Sequence, residues 1–223
     1  MGFDFEYMLN LMPILLKYLG TTMAMAMWGL LFALVLSVTL AIIRVFKIPV
    51  LDQLSQLYIS FFRGTPLLVQ LFLMYYGLPQ VIPALVGLDA FTASVIGLTL
   101  HFASYMAESI RAAIIGIDRS QMEAALSIGM NSSQAMRRII LPQAARVALP
   151  SLMNYFIDMI KSTSLAFTLG VTEIMAKAQM EASSSFRFFE AFLAVALIYW
   201  IVVLVLTRVQ IWAEDKLNKA YQR

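Results

Sequence analysis

Residues 118–142 read DRSQMEAALSIGMNSSQAMRRIILP, a polar and basic stretch set between long apolar runs. Its first half spells a short amphipathic helix over 118–128. Asp118 is placed to cap that helix, and Ala124 and Ala125 are strong helix formers. Met122, Leu126 and Gly129 share one face at helical spacing. Gly129 can take the left-handed conformation that ends a helix and turns the chain. Asn131 or Ser132 can cap a second helix, which the pattern carries to Pro142. The stretch therefore reads as a helical hairpin, with alanines small enough to let a partner's surface approach closely.

What surrounds the hairpin is membrane. The chain has 223 residues, 61% of them hydrophobic and only 13% charged, and its mean hydropathy is +0.81. A soluble globular chain carries roughly 25% charged residues. A helix needs about 20 apolar residues to cross a bilayer, and five runs meet or approach that length. Leu19–Ile43 has no charge, Gly64–Leu88 is interrupted by Pro66, Pro79 and Pro83, and Ala90–Ala107 is the third. Val147–Thr172 contains Asp158 and Lys161, and Ala191–Thr207 extends through Ile211 if Arg208 snorkels. The expectation is an all-α integral membrane protein with a single domain over 1–223. Its five transmembrane helices fall near 19–43, 64–84, 90–115, 147–170 and 190–211, and the hairpin occupies 118–142. The N-terminus carries Asp4 and Glu6 and no basic residue before Lys17, unlike a cleavable signal peptide.

Five spans put the termini on opposite sides. One set of loops holds Arg44, Lys47, Arg119, Arg137, Arg138, Arg146, Arg208, Lys216, Lys219 and Arg223. The other holds Lys17, Lys177 and Arg187 beside Asp4, Glu6, Asp89, Glu173, Glu181 and Glu190. The positive-inside rule then places the hairpin and C-terminus in the cytoplasm and the N-terminus outside. The net charge of +3 gives no reason to expect nucleic-acid binding. The absence of cysteine excludes disulfides and thiolate metal sites, and one histidine excludes bis-histidine haem. No metal site is expected. The chain has no phosphate-binding G-x-x-x-x-G-K-[ST] loop, so it is expected to be no ATPase and to draw its energy from a partner.

The hairpin also carries a signature. Glu123-Ala124-Ala125, three residues, Gly129, nine residues, then Ile139-x-Leu141-Pro142 resembles the EAA loop of membrane-spanning subunits of ATP-binding-cassette importers. That resemblance implies a type I importer permease fold, with the EAA loop as a cytoplasmic coupling helix that docks on a separate ATPase. Glu123, Ala124, Ala125, Gly129, Ile139, Leu141 and Pro142 are then the coupling residues. It also implies no cofactor in this chain, Mg-ATP being held by a partner ATPase dimer. The further partners are a second permease chain, identical or not, an extracytoplasmic amino acid-binding protein and membrane lipid, in a bacterial plasma (inner) membrane.

A second segment narrows the family. RGTPLLVQ at 63–70, ASYMAESIRAAI at 103–114 and PSLMNYFIDMIKSTSL at 150–165 resemble the polar amino acid uptake permeases, the histidine, glutamine, arginine and cystine group. The likeness runs from about Tyr18 to Leu217. Arg63, Gly64, Thr65 and Pro66 stand where a helix must break or kink. Arg63 can meet a carboxylate or snorkel to the interface. Gln70 can face the pathway or hydrogen-bond a neighbouring helix.

The third and fourth spans carry the other pathway candidates. His101, Tyr105 and Glu108 share a face, with Arg111 one turn beyond as an ion-pair partner for Glu108. Asn154, Asp158, Lys161 and Leu165 share another. Ionisable residues at such depth face a bundle interior or wet cavity and serve either transport or packing; that choice stays open for His101, for Asp158–Lys161 and for Glu108–Arg111. In family members that carry cationic amino acids the fourth span supplies acidic side chains. The matching positions here are Tyr155 and Ser162. Hydroxyls suit a neutral polar amino acid, cystine or glutamine, better than a buried cation that wants a carboxylate. The rival readings are a cationic amino acid importer and an ATP-independent carrier or channel.

Overall fold

A computed structural model of the protein describes residues 2–219, which form helices and connecting turns without a strand. The first hydrophobic helix, α1 (Phe5–Leu16), is followed by α2 (Leu19–Val45), α3 (Leu51–Gly64) and α4 (Leu67–Phe72). Then come α5 (Leu78–Val81), α6 (Ala90–Ile115), α7 (Arg119–Ser127), α8 (Ser132–Ala135) and α9 (Leu141–Ser162). A 3₁₀ segment over Thr163–Leu169 leads to α10 (Ile174–Ser185) and α11 (Phe188–Lys219). Three helices, α2, α6 and α11, are long and apolar enough to cross a membrane, and a fourth span results if α3 and the α4–α5 arm count as one bent element.

The centre is α6, which packs against α2 along one side and α9 along another. In an apolar solvent helices associate through close fit rather than through hydrophobic burial, and small residues supply that fit. Thr22, Ala26, Gly29, Ala33, Ser37 and Ala41 are buried along α2, and Ala93, Ser94, Gly97, Ala103, Ser104 and Ala107 along α6. Leu71, Leu98, Met106 and Met159 fill the gaps between α2, α4, α6 and α9. A second cluster (Met8, Leu11, Leu15, Ile174, Ala178, Ile198) joins α1, α10 and α11.

Several expected boundaries shift. The second span does not begin at Gly64, because Gly64 closes α3, and the arm beyond Pro66 departs at 111°. Pro66 forces the preceding residue out of the helical region, and Thr65 accordingly sits at φ −121°, ψ 147°. The helix that holds the run expected as the fourth span, α9, is not among those long and apolar enough to cross a membrane; it starts earlier than Val147, and the turns after it over Thr163–Leu169 tighten to 3₁₀ before Gly170 at φ +94° ends them. The second hairpin helix does not stop at Pro142. It passes through a π turn, Met136–Ile140, in which Leu141 N–H bonds Met136 O, and continues as α9. The same device recurs at Leu73–Gly77, where Leu78 N–H bonds Leu73 O ahead of Pro79. A proline ring strikes the carbonyl four residues back, and widening the turn makes room for it.

Glu173 and Glu190, counted with the outer loops in the sequence, are buried. Glu173 caps α10 by accepting Ala176 N–H at 2.8 Å and also accepts the Tyr199 hydroxyl at 3.2 Å. Glu190 accepts Asp4 N–H at 3.0 Å, and Arg187 pairs with Asp4 at 3.0 Å, so the N-terminus is tied to the start of α11.

Candidate functional site

A break in a helix leaves carbonyls without partners, and at Gly64–Pro66 one side chain collects them. Gln70 is 5% exposed. Its Nε2 donates to Phe62 O at 2.9 Å, Thr65 O at 3.1 Å and Thr65 Oγ1 at 2.8 Å. Its Oε1 lies 3.0 Å from His101 Nδ1 on α6. Of the two roles open to Gln70, the structure therefore displays the interhelical hydrogen bond. Arg63 meets no carboxylate among the described residues; its guanidinium lies over the Tyr105 ring, 5.3 Å from the centroid.

Beside this break, α6 and α9 flank an open cavity of about 210 Å³ lined by His101, Phe102, Tyr105, Tyr155, Asp158 and Ser162. Five of these stand among the sequence candidates; Phe102 does not, since a phenylalanine in an apolar span carries no distinguishing signal. Asn154 is exposed and does not line the cavity. Asp158 pairs with Lys161 at 2.6 Å, but both side chains are half exposed, so the pair is not sealed inside this chain. Tyr155 and Ser109 share a hydrogen bond at 3.2 Å between α9 and α6.

Below the cavity runs an ion chain. Glu108 pairs with Arg111, as expected, through Arg111 Nε at 3.0 Å. Arg44 joins it, 3.8 Å from Glu108 and 3.0 Å from Asp52, so α2, α3 and α6 are linked. Sequence reasoning missed Arg44 and Asp52 as partners because the pairing is not local, and Arg44 counted only as a basic residue at a helix end.

The hairpin forms largely as its residues dictate. Asp118 accepts Ser120 N–H at 2.8 Å and caps α7. That bond holds the Asp118 carboxyl below the usual aspartate range. Gly129 sits at φ +86°, with Gly129 N–H bonded to Leu126 O and Met130 N–H to Ala125 O. Asn131 caps α8 in a reciprocal box with Gln134. The packing face holds only in part: Met122 packs as expected, but Ala125, not Leu126 or Gly129, is buried beside it. Leu126 is 45% and Ile128 78% exposed, while Glu123 and Ala124 also face outward. Ile139 and Leu141 are half-buried, and Pro142 is exposed. Ile114, Ile140, Ala144 and Ala148 hold the hairpin's base to α6 and α9.

The arrangement is a framework of helices with a small polar cavity and an exposed helical hairpin. Residues 33–219 match the family model described as binding-protein-dependent transport system inner membrane component. A probable amino-acid ABC transporter permease protein of Vibrio harveyi is 85% identical over the full length of both chains. An L-cystine transport system permease protein of Bacillus subtilis is 39% identical, covering 100% of this chain and 95% of its own. An arginine transport system permease protein of the same organism is 31% identical, covering 98% and 99%. Among solved structures, an amino acid ABC transporter crystallised with histidines matches at TM-score 0.90 and 33% identity, over 97% of this chain and 100% of that one. The chain belongs to the inner-membrane components of binding-protein-dependent transport systems, as a non-catalytic amino-acid permease subunit that leaves ATP hydrolysis to a partner.

Proposed function

We propose that the α6–α9 cavity is the amino acid site of this permease and that it takes a neutral polar substrate, cystine foremost. The observation that carries the reading is the cavity lining. Its one carboxylate, Asp158, is already paired with Lys161. What remains for a substrate is hydroxyl and imidazole, donors and acceptors without net charge. The relative named for L-cystine transport supports the same direction.

In this reading the single domain crosses the inner membrane five times, through α2, the bent α3–α5 element, α6, α9 and α11. The N-terminus lies outside and the C-terminus in the cytoplasm, as the ten-to-three split of basic residues favours. A binding protein delivers the amino acid to the outer loops near 82–90 and 173–189. Two permease chains enclose the path. The hairpin, through Glu123, Ala124, Ala125, Gly129 and the exposed Leu126 and Ile128, docks on an ATPase dimer that binds Mg-ATP. ATP-driven closure moves the hairpin, and the continuous helix from Ser132 to Ser162 carries that motion to the cavity. A two-state rearrangement of packed helices is the physical means.

The test is reconstitution of the complex with its ATPase and binding protein, screening polar amino acids singly for stimulated ATP hydrolysis. Stimulation by cystine or glutamine supports the reading. Stimulation by arginine or lysine alone overturns the neutral-substrate assignment, because Asp158 would then have exchanged Lys161 for the substrate. Uptake without ATP overturns the importer mechanism.

A further inference from the structure

We propose that Gln70 fixes His101 in its Nδ1–H tautomer, so that the Nε2 lone pair is presented to the cavity as the acceptor for the substrate's ammonium group. This rests on the reading of the α6–α9 cavity as the amino acid site.

The argument begins at the helix break. Gln70 has an oxygen end and a nitrogen end, and its surroundings permit one orientation. The end nearer the break faces two backbone carbonyls, Phe62 O and Thr65 O, and the Thr65 hydroxyl oxygen. Reversing the amide would set a third carbonyl oxygen against those two. The Thr65 hydroxyl could not relieve it, because its own proton goes to Phe61 O at 2.8 Å. The nitrogen therefore points at the break and the oxygen at His101. An oxygen acceptor 3.0 Å from Nδ1 requires a proton on Nδ1. In the neutral ring Nε2 is then bare.

Nε2 has no partner among the described residues, and the ring lines the cavity between Phe102 and Tyr105. The ring is half-buried and opens on the cavity, so the bare acceptor is left to water or to a donor that enters there, and an amino acid supplies one in its ammonium group. The same amide that seals the Pro66 break thus sets what the cavity can recognise. Gln70 is a positioning residue in this scheme, and His101 touches the substrate.

His101 is the chain's one histidine, which makes the tautomer directly readable. The assembled complex is prepared with [¹⁵N]histidine, and the resonances absent from a His101→Gln complex are those of His101. The expected wild-type spectrum shows a protonated Nδ1 and an unprotonated Nε2, and added cystine or glutamine shifts Nε2 while Nδ1 stays bonded. Gln70→Met should release the bias toward Nδ1–H. A wild-type Nε2–H tautomer overturns the proposal. Uptake gives the second readout. His101→Gln places an acceptor where Nε2 was and should stay within a few-fold of wild type. His101→Asn keeps the bond to Gln70, leaves the Nε2 position empty and should lose on the order of tenfold or more. The opposite ranking makes His101 only an anchor for Gln70 and refutes the assignment. If wild-type ATP hydrolysis answers to no amino acid, the cavity reading fails, while the resting spectrum still reports the tautomer.

Discussion

Replacing Gly129 by alanine isolates one bend in the backbone from everything that touches it. At φ +86° a residue with a Cβ pays roughly 1–2 kcal/mol. No heavy atom lies within 4 Å of the place that Cβ would take, so steric packing adds nothing. The whole effect falls on the turn held by Gly129 N–H to Leu126 O and Met130 N–H to Ala125 O. An energy of that size changes the ratio of ordered to opened hairpin by about 5–30-fold. Under the proposed function, docking on the ATPase restores the turn, so the apparent dissociation constant of the ATPase should rise by up to that factor. The assay is retention of the ATPase by detergent-solubilised permease across a concentration series. Gly129→Asn should weaken binding less, because asparagine tolerates the left-handed region. Gly64→Ala is the control, since its Cβ also meets nothing and its φ is not positive. Undiminished affinity in Gly129→Ala, or equal loss in Gly64→Ala, would refute the turn as the element that presents the hook.

Acidification should act on the same hairpin through Asp118. Its carboxyl is held below the usual range by the Ser120 N–H, so the cap is fully present above the ordinary aspartate pKa and is lost as pH falls through the depressed value. ATPase retention should therefore be flat through neutral pH and decline only in acid, and Asp118→Asn should flatten that decline. Gly97→Ala should lower the melting temperature of the purified chain, since its new Cβ would come within 2.5 Å of the buried Leu71 Cδ2, an overpacking worth about 1–3 kcal/mol. Gly29→Ala should be milder, because the atom it meets at 2.9 Å is the flexible Met159 Sδ. Val50 sits at φ 66°, ψ −52° and is exposed, so Val50→Gly should raise the melting temperature by relieving about 1 kcal/mol of strain.

The hairpin was the most legible part of the sequence because its determinants are local. Asp118, Gly129 and Asn131 each act within a few residues, and all three do in the structure what their chemistry allows. Long apolar runs announced α2, α6 and α11 for the same reason. The helices α1, α3 and α10 went unread. Residues 5–16 are too short to cross a bilayer, α3 carries polar residues on one face, and α10 follows a capping Glu173 whose burial depends on Tyr199 from another helix. On α6 the cavity was legible as periodicity, since His101 and Tyr105 recur at helical spacing; on α9 the periodic face of Asn154, Asp158, Lys161 and Leu165 contributes only Asp158, while Tyr155 and Ser162 were picked out by the family resemblance. Gln70 closing the break and Arg44 bridging Asp52 to Glu108 were not, for each joins elements that no local pattern brings together.

The two wide turns ahead of Leu78-Pro79 and Leu141-Pro142 make this permease a device whose parts are held in phase. Each turn spends one residue more than a regular helical turn, and one residue is about 100° of rotation. The helix beyond resumes with its faces offset from the helix before it. The row Tyr155, Asp158 and Ser162 looks into the cavity from a helix whose phase includes the offset of residues 136–140. Tightening the turn to a regular helix would swing the row aside while the axis of α9 stayed where it was. Proline guards both places against such tightening. Under the proposed function, a pull on the hook would arrive at the cavity through a fixed gear, in which angle as well as distance is conveyed.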